Sequence, residues 1–172
     1  SLLPIRGLAE RSIAVVNIGE QSENEFTRYV KKYAKVDVYS TSGLLSNQAL
    51  SAIKNHDVVI VGVFNHKAIA RQAFAQLKNI PNIVPVFFVN PYEMAQFKLS
   101  LDGLNTLVLG YDDTPYIREY AAQAIFGGIN VVGKLPVNLE GIAKMGEGVK
   151  IKQSRLGYTT PTLAGLKSTM EW

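Results

Sequence analysis

Five short apolar segments alternate with five segments of helical periodicity, and this alternation constrains the fold more than any other feature of the chain. The apolar segments predict strands at residues 12–18, 36–39, 58–63, 83–89 and 106–109. Parallel neighbours in a sheet require a crossover connection, and such crossovers are right-handed. The pattern therefore predicts a three-layer α/β/α sandwich, flavodoxin-like, with a mostly parallel sheet of strand order 2-1-3-4-5.

Two of the predicted helices carry clear start signals. Ser22 and Glu25 have the spacing of a capping box, in which each side chain binds the backbone of the other residue. Pro115 suits the first position of the last helix, because the N–H that proline lacks would be unsatisfied there. The candidate N-caps before it are Asp112, Asp113 and Thr114.

The end of the last helix is also marked. Gly127 and Gly128 are predicted to close it, because glycine adopts the left-handed conformation without steric cost. Beyond them, residues 131–132 or 135–137 are candidates for a sixth strand, parallel or antiparallel. Helical spacing predicts one apolar face made of Ile117, Tyr120, Ala121, Ala124 and Ile125.

Composition excludes several classes of function. The 172 residues include no cysteine, which excludes disulfides, zinc–thiolate sites and a cysteine nucleophile. No apolar run approaches the roughly 20 residues of a membrane-spanning helix. The net charge is +4, but the basic residues near the C-terminus are scattered through a glycine-containing tail and form no known motif, so no nucleic-acid partner is predicted. No glycine-rich phosphate-binding motif and no metal-binding spacing is present, so neither a cofactor nor a metal is predicted.

In this type of fold, ligands bind beyond the carboxyl ends of the strands. The polar and aromatic residues that the sequence places there are candidates for a ligand site or for a surface that faces another domain. The same residues also fit a purely structural role, because helix caps occupy these loops; His66 in particular suits a capping or surface position as well as a base. No catalytic residue is assigned. The candidates are Glu20, Asn65, His66, Asn90, Tyr92, Tyr111, Asp112 and Asp113.

Two short motifs support a family resemblance. Residues 121–128 read Ala-Ala-Gln-Ala-Ile-Phe-Gly-Gly, and residues 133–137 read Gly-Lys-Leu-Pro-Val. Together they resemble the end of the C-terminal α/β domain of glycoside hydrolase family 3, and the resemblance extends loosely over residues 2–137. The apolar residues 2–5 look like the family's linker from a preceding barrel. We expect a linker at residues 1–11, the α/β domain at residues 12–138 and a tail or linker at residues 139–172.

The resemblance implies which domain of such an enzyme carries the catalytic residues. The family places its nucleophilic aspartate on the preceding barrel, and its β-glucosidase-like branch adds an acid from a loop of the α/β domain. Here the loop after the third strand is Phe-Asn-His-Lys at residues 64–67, without an acid. This favours the β-N-acetylglucosaminidase branch, whose acid/base pair lies on the barrel. The implied partners are the barrel of the same parent chain and its carbohydrate substrate. The compartment stays open, with a periplasmic or other extracytoplasmic location implied.

The C-terminal tail allows two interpretations. Residues 154–168 resemble the start of a serine β-lactamase-like domain, which some bacterial members of the family carry downstream. Alternatively, the tail docks on the domain through Leu156, Tyr158 and Trp172. For the whole chain, the resemblance predicts a non-catalytic accessory domain of a family 3 glycoside hydrolase. The alternative is a stand-alone flavodoxin-like module that binds a small ligand or a nucleotide.

Overall fold

The structure is a computed structural model that describes residues 2–133, 148 and 150–158. A five-stranded parallel sheet forms its centre, in the order β2-β1-β3-β4-β5. The predicted sandwich and its strand order are thereby confirmed. The strands are β1 (Ile13–Ile18), β2 (Asp37–Thr41), β3 (Val58–Val63), β4 (Ile83–Phe87) and β5 (Val108–Leu109).

Pro85 lies inside β4 without breaking the sheet. Its partner on β3 is Val61, whereas β5 pairs only with Val86 and Phe87. The Phe88 amide donates to the Val63 carbonyl on β3, so by alternation the nitrogen of Pro85 faces the β5 side. Because β5 has no residue opposite Pro85, the absent N–H leaves no bond unmade.

Helices cover both faces of the sheet. On one face α1 (Glu25–Tyr33) and α6 (Pro115–Phe126) pack against alternate residues of the strands, such as Val15 and Ile60. The intervening strand residues, such as Val16 and Val61, face the other layer. That layer contains α2 (Asn47–Lys54), α3 (Ala68–Leu77), α4 (Pro91–Met94), a 3₁₀ turn (Ala95–Phe97) and α5 (Lys98–Leu101). The three central strands are therefore buried on both faces, as their apolar sequences predict.

The helix ends correct one prediction and settle another. Asn24 caps α1 by accepting from the Thr27 amide at 3.0 Å, so the predicted capping box between Ser22 and Glu25 is wrong. A capping box does form between Asn90 and Glu93 at the start of α4. Of the three candidates before Pro115, Thr114 is the N-cap of α6.

Gly127 closes α6 in the left-handed conformation, with a φ of 72°, as predicted. The predicted apolar face of α6 is wrong at Tyr120, which is 49% exposed, while Ala122 and Gln123 are buried. The helix turns Ala121 and Ile125 toward the sheet, which leaves Tyr120 on the outer side.

The segments at the two ends of the described chain both return to α6. Ile5 is fully buried, and its amide donates to the Ile125 carbonyl at 2.9 Å. Val131 forms an isolated antiparallel bridge with Ile151, outside the five-stranded sheet, while residues 135–137 and Trp172 lie outside the described residues. Within the described part of the chain, no helix is long and apolar enough to cross a membrane.

Candidate functional site

An arginine lies at the centre of the carboxyl edge of the sheet. Arg118, in the first turn of α6, donates through Nη2 to Glu20 at 2.9 Å and through Nη1 to Glu25 at 3.0 Å. It binds Asp113 twice, at 2.5 Å from Nε and at 2.9 Å from Nη2. Its guanidinium carbon lies 4.6 Å from the centroid of the Phe64 ring. We call these four charged residues, Arg118, Glu20, Glu25 and Asp113, the arginine cluster.

The arginine cluster is largely buried, and its contacts affect the pKa values of its members. The Arg118 side chain is only 11% exposed, and the three acids are 28% to 32% exposed. The hydrogen bond with Asp113 raises the pKa of Arg118, burial opposes that rise, and Glu20 adds to it. The pKa of Glu25 is lowered, first by a hydrogen bond from its own backbone amide and then by Arg118. Both shifts favour the charged forms of Arg118 and Glu25. By formal count, one arginine and three carboxylates give the cluster a net charge of minus two.

Sequence reasoning missed Arg118 because two of its three partners are far away in the chain. Glu20 and Glu25 are 98 and 93 residues from it. One local signal was present: a basic residue in the first turn of a helix opposes the helix dipole, so it needs nearby acids. Glu20 and Asp113, which were predicted as site residues, are brought together here, but as partners of this arginine.

A second polar group lies above β3 and β4. The His66 Nδ1 atom is 3.3 Å from a Glu93 carboxylate oxygen, and both side chains are partly exposed. Glu93 also accepts from the backbone amide of Asn90, and Asn90 caps α4 in return. Asn65 accepts from the Lys67 amide at 3.1 Å and is not a helix cap. Asn90 therefore has a structural role, while the His66 and Glu93 side chains lie in contact with each other.

The remaining predicted residues lie at the surface of the same edge. Asp112 accepts from the neighbouring Asp113 amide at 2.8 Å, and its side chain is exposed. Tyr111 has a positive φ of 65°, and burial of part of the side chain raises the pKa of its hydroxyl. Tyr92 is 75% exposed. None of these three residues joins the arginine cluster.

The carboxyl edge also exposes large apolar and aromatic side chains, which sequence reasoning identified only in part. Ten such residues are exposed in the described part of the chain, and five of them lie in loops or first helical turns that follow a strand. Exposed apolar and aromatic side chains at one edge of a sheet offer a surface on which another domain can pack. We call these five the edge residues: Leu44, Ile69, Tyr92, Tyr111 and Tyr116.

One buried polar atom lies beneath the edge. Asn17 is fully buried on β1, and its amide nitrogen donates to the Gln21 carbonyl and to Thr27. Its Oδ1 atom has no hydrogen-bond partner. A Cβ at Gly62 would lie 3.2 Å from this oxygen and 2.8 Å from the Phe64 ring, so glycine is required beside it. Asn17 holds the β1–α1 turn that positions Glu20.

The chemistry open to this edge is limited by those contacts. Three of the acids, Glu20, Glu25 and Asp113, each have at least one carboxylate oxygen occupied by a hydrogen bond from Arg118, and that oxygen is not free to act as a base or a nucleophile. No group of three or more histidine, aspartate and glutamate side chains in the described ranges is arranged to hold a metal ion. Comparisons of the chain with family models, curated proteins and solved structures gave no match.

Proposed function

We propose that this chain is a non-catalytic accessory domain of a family 3 glycoside hydrolase, of the β-N-acetylglucosaminidase type. In this proposal its carboxyl edge packs against the catalytic barrel of the same parent protein. The observation that carries the proposal is the contrast within that edge. Three of its acids are bound by Arg118, while the five edge residues are exposed.

The bound acids argue against hydrolysis by this domain alone. Glycoside hydrolysis uses two carboxyl groups on opposite sides of the bond, one of which donates a proton. In the arginine cluster the three carboxylates share one cation: Arg118 binds both oxygens of Asp113 and one oxygen each of Glu20 and Glu25. The His66–Glu93 pair could move a proton, but no second carboxylate in the described residues is placed beside it by any hydrogen bond or ion pair.

The exposed side chains support a packing role. Tyrosine is enriched at protein interfaces, where its ring is buried and its hydroxyl finds a polar partner. Tyr92 and Tyr116 are 75% and 64% exposed, and each lies in the first turn of a helix that begins after a strand. The arginine cluster, with its net negative charge, would form the polar part of the same interface.

Hydrolysis assays test the non-catalytic half of the proposal. We expect aryl β-N-acetylglucosaminides and aryl β-glucosides to be hydrolysed no faster with the purified chain than in buffer alone. The variants His66→Gln and Asp112→Asn should also hydrolyse these substrates no faster than buffer. Lys152→Met, a control far from the edge, should give the same result. Turnover that exceeds the buffer rate and disappears in either edge variant, but not in Lys152→Met, would make this domain an enzyme in its own right.

The coding sequence tests the other half. The proposal requires an in-frame barrel upstream, which in this class of fold takes roughly 250 residues or more. A chain that is translated without such a segment would contradict the accessory role and would favour the small-ligand module.

A further inference from the structure

Two segments of the chain meet at the amino edge of the sheet, opposite the edge residues. We call residues 2–5 the lead-in and residues 150–158 the return segment. Both lie on the C-terminal end of α6, which reaches the amino edge because α6 runs back from the end of β5. The lead-in is fixed by Ile5, which is fully buried and bonded to the Ile125 carbonyl.

Several specific hydrogen bonds hold the return segment. The amides of Ser154 and Arg155 both donate to the Gly127 carbonyl, at 2.8 and 2.9 Å. The Tyr158 amide donates to the side chain of Gln123, which is 2% exposed, at 2.9 Å. Tyr33 on α1 donates its hydroxyl to the Leu156 carbonyl at 3.0 Å. The Leu156 side chain itself is 85% exposed, so at this residue the segment docks through its backbone.

Small residues make this docking possible. A Cβ at Gly128 would collide with the Tyr33 hydroxyl, and a Cβ at Gly157 would lie 2.7 Å from the Gly128 carbonyl oxygen. At Gly127 a Cβ would lie 2.5 Å from the Ser154 hydroxyl and 3.1 Å from the Pro4 ring. The lead-in and the return segment therefore both cross Gly127 at close range.

The Arg155 side chain bridges the two segments. Its Nη1 atom donates to the Ile5 carbonyl at 2.8 Å and to the Phe126 carbonyl at 2.5 Å. Because the Arg155 backbone is already bound to Gly127, the guanidinium connects the return segment, the end of α6 and the lead-in. A hydrogen bond from a charged donor contributes more to stability than a neutral one.

We propose that Arg155 makes the docking of the lead-in and the docking of the return segment mutually dependent. The energetic coupling between two bound segments is reciprocal, so loosening either one must loosen the other by the same factor. As a result, the lead-in and the return segment are fixed next to each other at the amino edge. This inference is independent of the proposed function, because it concerns contacts within the described residues.

Amide hydrogen exchange in the full chain tests the coupling. Arg155→Met removes the guanidinium but keeps an aliphatic side chain, and Ile5→Ala weakens the lead-in without changing Arg155. We expect the Ile5 amide to exchange roughly tenfold faster in Arg155→Met, and the Ser154 amide to exchange roughly tenfold faster in Ile5→Ala. Lys152→Met, an exposed change in the same segment, should alter neither amide. The Phe88 amide, which is bound to Val63 inside the sheet, serves as the reference for global unfolding.

The outcomes separate coupling from independent docking. If Ser154 accelerates in Arg155→Met while Ile5 does not, the return segment docks by itself and the proposal is wrong. An unchanged Ser154 amide in Ile5→Ala contradicts it in the reciprocal direction. In Arg155→Met, an equal rise in the exchange rates of the Phe88 and Ile5 amides would mean that the whole domain is destabilised. That result also contradicts a local coupling.

Discussion

Replacing Arg118 with methionine should destabilise the domain strongly, because it leaves three carboxylates facing each other. Breaking a fully buried ion pair costs about 3–5 kcal/mol, and an exposed pair contributes about 0–1 kcal/mol. Arg118 is 11% exposed and its acids are 28% to 32% exposed, which places the cluster between these limits. We therefore expect the free energy of unfolding to fall by about 2–3 kcal/mol at pH 7.

Urea denaturation followed by circular dichroism measures this change, and Arg28→Met is the matched control. Arg28 contacts the same Glu25, at 3.5 Å, but its side chain is 62% exposed. Its replacement should change the free energy of unfolding by less than about 0.5 kcal/mol. If Arg118→Met were as stable as Arg28→Met, the arginine cluster would be a surface feature and the reasoning would be refuted.

The pH dependence provides a second check on the same variant. The folded-state pKa of Glu25 is below its usual value of 4.5, so its contribution is present above pH 4.5. That contribution is lost as the pH falls through the lowered folded-state pKa. In Arg118→Met, protonation instead relieves repulsion between the acids. The difference in stability between the two proteins should therefore decrease as the pH falls below 4.5.

Three further changes test the helix ends and the return segment. Gly127→Val places a β-branched residue at a φ of 72° and should cost about 2 kcal/mol or more in a thermal melt, whereas Gly43→Val, with open space around it, should cost much less. Thr114→Ala removes the α6 N-cap and should cost about 1 kcal/mol by the same measurement. Burial raises the pKa of Tyr33 to about 12, and Tyr158 adds to the shift. As the pH rises from 10 toward 12, the unfolded chain loses this proton before the folded chain does, so the free energy of unfolding falls. Urea midpoints in that range should fall less in Tyr33→Phe; an equal fall would contradict the assignment.

The strands were predictable because burial on both faces leaves a continuous apolar run. Val58–Val63 forms a strand with the predicted bounds, and its six residues are all buried. At the sheet edge the signal is weaker: β5 begins at Val108 and not at residue 106, because only two of its residues pair with β4. The left-handed end of α6 was also predictable, since it depends on one glycine.

The arginine cluster was not predictable in the same way. Its members come from the loop after β1, the first turn of α1, the loop after β5 and the first turn of α6. These segments become neighbours only when the sheet has formed with its strand order. The sequence placed Glu20 and Asp113 at the correct edge, but their common partner depends on a side-chain geometry that no local pattern encodes. The return segment is similar, because Arg155 meets the Ile5 carbonyl across 150 residues of chain.

Hydroxyl-radical footprinting of the parent protein and of the isolated chain tests the accessory role most directly. In the isolated chain Tyr92, Tyr111 and Tyr116 are exposed at the carboxyl edge, and Tyr158 is exposed at the amino edge. The account predicts that labelling of the three edge tyrosines falls severalfold in the parent protein while labelling of Tyr158 is unchanged. Equal labelling of the edge tyrosines in both proteins would contradict the claim that this edge packs against a barrel.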